Sequence, residues 1–222
     1  MYFSPERAIR LSVLTLAVCT IAVTVVLIHH AERGKTHPLP TGIPATYVDE
    51  SLGIRVRLPQ PWITLSASEA TIVTSQGQAA LAESGQDTKK LGIEYPDAKA
   101  RLLTAMNPVT GDSFQILKQE EPPSVNEYRP EMVANDLRLT LVNLVGMQPL
   151  GPVERLDATK PVVAHFSGIL TVKGTRIYQS VFVAVAKNTA ITSVFSGPAD
   201  RVLAESKRSF PQWVSFDNAK LQ

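Results

Sequence analysis

The sequence predicts an α+β protein: an antiparallel β-sheet flanked by helices, preceded by one N-terminal transmembrane helix. Three observations carry that expectation. Residues 161–197 hold three β-rich runs joined by tight turns, Val133, Leu137, Leu141 and Leu144 recur at helical spacing, and the stretch 11–28 carries no charge.

The uncharged stretch, "LSVLTLAVCTIAVTVVLI", makes a helix of roughly 27 Å at the α-helical rise, close to the thickness of a bilayer core. Its hydroxyl residues Ser12, Thr15, Thr20 and Thr24 can bond back to helix carbonyls. A cleaved signal peptide has a shorter apolar region and ends at a small-x-small site, which "IHHA" does not supply. Cys19 sits in mid-run after Val18, unsuited to a lipid attachment site. The reading is therefore an uncleaved single-pass anchor over 11–30, behind a short cytoplasmic tail, 1–10. Arg7 and Arg10 before the run are matched by Arg33 and Lys35 after it. The terminal amine and the shortness of the tail favour an extracytoplasmic C-terminal domain. The one cysteine lies inside the run, so no disulfide reports on the compartment.

Hydrophobic residues make up 44% of the chain, enough for a sizeable core. With Arg7, Arg10 and Glu6 set aside from the 22 basic and 20 acidic residues, the remainder is close to neutral. No run of lysine and arginine interleaved with aromatics appears, which argues against a nucleic-acid partner.

Residues 31–45, "AERGKTHPLPTGIPA", with three prolines and two glycines, read as a stiff tether. A soluble domain is expected over 46–217, with a tail at 218–222. Leu52, Ile54, Val56 and Leu58 alternate with Gly53, Arg55 and Arg57, the period of a half-buried strand whose arginines point outward. The preceding "TYVDESLG" implies a hairpin turning at Asp49, Glu50 and Ser51. Pro59 and Pro61 end the strand and deliver Trp62 to the core. "ATIVTS", 70–75, reads as a short strand, 77–98 as a weakly patterned excursion, and "ARLLTAM" with "DSFQILKQE" as a hairpin around "NPVTGD".

Pro122 and Pro123 break the sheet, and Ser124 to Glu127 offers a capping box ahead of a helix over about 130–145. Gly146 and Gly151 bracket a helix stop and strand entry. In the meander of residues 161–197 the middle run is apolar on both sides, with Val181, Val183 and Val185 on one and Phe182, Ala184 and Ala186 on the other. Such a strand is covered on both faces. Pro198 opens a second helix, with Val202, Leu203 and Phe210 inward, and Trp213, Val214 and Phe216 close against the core.

This order of elements resembles the PsbP/Mog-like fold and, within it, bacterial anchored DcrB-like members. The matching residues are Gly53, Leu58-Pro59 and Trp62, the helix around Met132 to Leu144, Tyr178, and Ser209-Phe210. The resemblance spans about residues 46–217 and implies an α/β/α sandwich in a family of accessory or binding proteins, not enzymes, with no catalytic residue to carry over.

Chemistry is sparse. His165 is the one histidine after the tether, on a strand face with Val163, Ser167 and Ile169, and reads as a hydrogen-bonded sheet residue; a hydrolase would rest on it alone. His29, His30 and His37 lack metal-ligand spacing. Glu120-Glu121 and Glu94 with Asp97 do not form an acid/base couple. No phosphate-cradling glycine loop, metal site or cofactor is expected. Arg55 and Arg57 are candidate contacts for an acidic partner or lipid headgroups, and Met132 and Leu139 form a candidate apolar patch on the shoulder of the long helix. The expected function is a membrane-tethered extracytoplasmic accessory or binding module, not an enzyme, acting through protein contacts. The alternative is a binder of a small apolar or lipid ligand in a helix–sheet cleft.

Overall fold

The computed structural model describes residues 46–71, 101–120, 129–156, 161–172, 174–186 and 189–217. The expected tail, transmembrane anchor and tether of 1–45, the histidines at 29, 30 and 37, the excursion over 77–98 with Glu94 and Asp97, Glu121, and the Ser124 to Glu127 box lie outside the described residues.

Alternation at the start of the domain gives β1 (Thr46–Asp49) and β2 (Ile54–Arg57), paired antiparallel with Thr46 opposite Arg57 and Asp49 opposite Ile54. Asp49 shapes the turn. Its Oδ1 accepts from the Ser51 amide at 2.9 Å, the Ser51 hydroxyl at 2.6 Å and the Leu52 amide at 3.0 Å. Gly53 follows at φ 64°, a left-handed conformation that glycine adopts freely. Trp62, after the Pro59–Pro61 corner, is buried as expected.

β3 (Ile63–Thr64) pairs with β4 (Arg101–Asn107), and β4 with β5 (Asp112–Glu120), the expected hairpin. Between them the expected strand at 70–75 is corrected where it is described: residues 67–71 are helical. Ser66 and Glu69 form a reciprocal capping box there. Glu69 Oε2 accepts from the Ser66 amide at 2.7 Å, and Ser66 Oγ accepts from the Glu69 amide at 3.3 Å. That local cap outweighs the β-branched preference of the sequence just beyond it.

The long helix α1 (Pro130–Val145) begins at proline, whose missing amide costs nothing in a first turn. Its N-cap is Arg129, which makes no side-chain cap hydrogen bond. Gly146 ends it at φ 69°, and the Met147 amide reaches back to the Leu141 carbonyl at 3.1 Å. β6 (Gln148–Pro149) and β7 (Glu154–Leu156) then pair side by side along β8 (Val163–Val172). β8, β9 (Thr175–Ala186) and β10 (Thr189–Gly197) form the expected meander. The helix expected to open at Pro198 begins three residues later. Residues 198–200 form a turn that feeds α2 (Arg201–Trp213), with Val202 and Phe210 buried. β11 (Val214–Phe216) ends the described chain.

The strands divide into two sheets where the sequence implied one. The larger has eight strands in the order β3-β4-β5-β10-β9-β8-β6, with β7 also on β8; the smaller is β1-β2-β11. The large sheet is covered on both faces. On one, Val133, Ala134, Leu137, Leu141 and Val145 of α1 meet Phe166, Leu170, Ile177, Val181 and Val183. On the other, Ile54, Val56 and Val214 of the small sheet and Val202 and Phe210 of α2 meet Phe114, Ile116, Phe182 and Phe195. Ring stacking ties the second side together, with Phe182 4.2 Å from Phe210 and Phe114 4.3 Å from Phe195. The layers are α1, the large sheet, then α2 beside the small sheet.

Candidate functional site

Register places His165 directly opposite Phe182, on the α2 side of the large sheet. Its Nε2 shares a hydrogen bond with Ser180 Oγ at 2.7 Å, and Ser167 Oγ lies 3.3 Å away. Nδ1 points toward Glu154 of β7 and stands 3.9 Å from Oε2, too far for a hydrogen bond. Glu154 is instead ion-paired to Lys207 of α2. Burial, with the nearby Lys207 charge, pushes the His165 pKa down to about 4, against the weaker opposing pull of Glu154. The imidazole is therefore neutral at pH 7.

The order hydroxyl, imidazole, carboxylate is that of a nucleophilic triad, but the hydroxyl has no route to a substrate. Ser180 is fully buried and His165 is 5% exposed beneath the Phe182 ring. A nucleophile must reach a reacting carbonyl, and here the hydroxyl and imidazole are enclosed in contacts that join β7, β8, β9 and α2. Among the described residues, no group of three His, Cys, Asp or Glu side chains converges to hold a metal ion.

The four residues singled out from sequence are all on the surface. Arg55 and Arg57 stand on the outward face of the small sheet, as the pleat requires, two residues apart on β2. Met132 is 53% and Leu139 48% exposed on the outer side of α1. The large sheet lies between these two pairs, so they do not form one site. Beside Arg55, at the turn end of the small sheet, an open recess of about 260 Å³ is lined by Val48, Asp49, Glu50, Gly53, Ser215 and Asp217 among others. Burial opposes ionisation of Asp49, but the hydrogen bonds from Ser51, Leu52 and Tyr47 leave its pKa below the usual carboxylate value.

The helix–sheet contact under α1 is filled by Leu137, Leu141, Val145 and Met147, each nearly inaccessible. Gln115 and Thr104 lie opposite each other on that same side of the sheet and are buried, with Gln115 Nε2 and Oε1 and Thr104 Oγ1 unbonded. Sequence reasoning missed this pair because Gln115 alternates with Phe114 and Ile116, which reads as a half-exposed strand. The His165–Ser180 bond was likewise invisible without strand register, since 15 residues separate the two.

No protein-family model matches the chain, and no curated protein sequence matches it. Solved structures do. The solution structure of cyanobacterial PsbP (CyanoP) from Synechocystis sp. PCC 6803 aligns with a TM-score of 0.51 at 12% identity, over 82% of this chain and 99% of that one. The chain has the PsbP/Mog-like fold. More distant alignments reach LpqN, involved in cell envelope biogenesis of Mycobacterium tuberculosis, at TM-score 0.47 and 11% identity over 81% of this chain and 87% of that one. The Saccharomyces cerevisiae Ran-binding protein Mog1p aligns at TM-score 0.42 and 10% identity, over 75% of this chain and 83% of that one. At these identities the likeness describes the PsbP/Mog-like fold and assigns no activity.

Proposed function

We propose that the protein is a membrane-tethered extracytoplasmic accessory module of DcrB-like kind, held in a bacterial inner membrane by residues 11–30 and acting through protein contact, not catalysis. One contrast carries the reading: the imidazole–hydroxyl pair is sealed inside the sheet, while Met132 and Leu139 stand out in water on α1. Chemistry needs access, and binding needs exposed surface. The PsbP/Mog-like fold supports it, since that resemblance implies accessory proteins. The filled contact beneath α1 gives the alternative, a small apolar ligand in a helix–sheet cleft, no comparable support.

The test is site-specific photocrosslinking in intact cells from position 139, with exposed Val109 on the β4–β5 turn as the comparison site. The reading predicts one discrete protein adduct from 139 and none from 109. Recovery of the uncrosslinked chain alone, where a known envelope complex is captured in parallel, would count against it.

A further inference from the structure

The outward face of the small sheet consists of Thr46 opposite Arg57, and Val48, Arg55 and Ser215 in one row across three strands, all exposed. Among the described residues, neither guanidinium has an ion-pair partner and no carboxylate occupies this face. The acidic groups collect at the turn end, where Glu50 and Asp217 border the recess beside Arg55. The charge therefore runs along the face, from Arg57 at one end to carboxylates at the other. Thr46, where the preceding chain joins the domain, is at the Arg57 end.

We propose that this face docks on an anionic lipid bilayer, with Arg57 and Arg55 over the headgroups and the carboxylate end tilted away. The inference rests on the anchor reading of residues 11–30. Between Ile28 and Thr46 the chain has 17 residues, including Arg33 and Lys35. A Pro-rich tether of that length, at about 3.1 Å per residue, spans at most roughly 50 Å, so the arginine end is never far from the membrane. A tether that short makes weak docking effective, because the bilayer is always at high local concentration. Each basic side chain at an anionic surface shifts the docked population by about five-fold, the pair by roughly thirty-fold. Arginine suits the task, since its planar fork pairs with phosphate oxygens in bidentate fashion. Docking by this face turns α1, with Met132 and Leu139, away from the bilayer, because the large sheet separates the two.

The experiment uses the full chain in nanodiscs. Cys19→Ser removes the one native cysteine, and single fluorophores are placed by Ser215→Cys on the docking face or Leu139→Cys on α1. Lipids with a quenching headgroup are included in phosphatidylglycerol-containing and in purely phosphatidylcholine discs. The proposal expects several-fold stronger quenching at 215 than at 139 in anionic discs. That excess should vanish in zwitterionic discs, in about 0.5 M NaCl where screening confines charge effects to under about 5 Å, and in Arg55→Gln/Arg57→Gln. Equal quenching at both positions, or an excess at 215 indifferent to lipid charge and salt, overturns it. An acidic protein as the true occupant of the face, absent from the discs, would give the first of these results. If alkaline carbonate strips the chain from vesicles, the anchor reading fails and the docking proposal falls with it.

Discussion

Arg201 Nη2 meets Asp112 Oδ2 at 2.8 Å, joining the start of β5 to the first turn of α2 across 89 residues of sequence. The carboxylate is nearly inaccessible, also accepts from the Thr110 hydroxyl at 2.6 Å, and lies so close to Gly197 that any Cβ there would collide with its Oδ1. Burial raises the Asp112 pKa despite the Thr110 and Arg201 contacts. Removing the cation strands a buried charge. Arg201→Ala should destabilise the domain by about 2 kcal/mol, less than a fully buried pair because the guanidinium is partly solvated, and Asp112→Asn by about 1 kcal/mol. Urea midpoints at unchanged slope measure both, and a shift under about 0.5 kcal/mol for Arg201→Ala contradicts the lock.

His165 predicts acid sensitivity. Its folded-state pKa of about 4 lies below the ordinary histidine value of 6.5, so between those values the unfolded chain binds a proton that the native sheet refuses. Stability is therefore full well above pH 6.5 and falls as pH drops through it, with about 2 kcal/mol lost by pH 5. The charged groups facing the ring are Glu154 and Lys207, and their ion pair persists across that range because Glu154 is held below its usual value by Lys207. In His165→Gln the slope over pH 5–6.5 should largely disappear. A wild-type protein with flat stability there contradicts the assignment.

Gly168 faces Met147, which folds over it from the start of β6. A Cβ at 168 would meet Met147 Cγ at 2.7 Å. Since the thioether chain is flexible, Gly168→Ala should cost only about 1–2 kcal/mol. Met147→Ala alone opens a cavity and should cost about 2 kcal/mol or more. Together they should cost clearly less than the sum, and strict additivity in a double-mutant cycle sinks the contact.

On α1, Met132→Glu/Leu139→Glu should leave stability within about 0.5 kcal/mol, because both side chains already face water. The same pair should abolish the adduct formed from a neighbouring crosslinker on α1. Loss of folding would show that these residues serve the core and not a partner.

What was legible in the sequence was mostly local. The meander follows from alternation interrupted at Lys173-Gly174 and Asn188, and α1 from the Val133, Leu137 and Leu141 stripe, which the structure buries. The outward aim of Arg55 and Arg57 follows from the pleat alone. What escaped depends on distance or on competing local signals. The second sheet exists because Val214 pairs with Val56, a contact between the two ends of the domain that periodicity cannot announce. The helix at 67–71 was hidden by the β-branched residues after it, although Ser66 and Glu69 carried the start signal in plain spacing. Ser180 became the partner of His165 only through the β8–β9 register.

The central claim is that a short N-terminal anchor holds this PsbP/Mog-like domain outside the cytoplasm, and protease access in spheroplasts tests it most directly. The account predicts that added protease cuts within the proline- and glycine-rich residues 31–45 and releases the domain beginning near Thr46. A C-terminal reporter that works only in an oxidising, extracytoplasmic compartment should be active in the same cells. A domain that survives in intact spheroplasts, is digested only after lysis, and carries a silent reporter would contradict the account and place its partners in the cytoplasm.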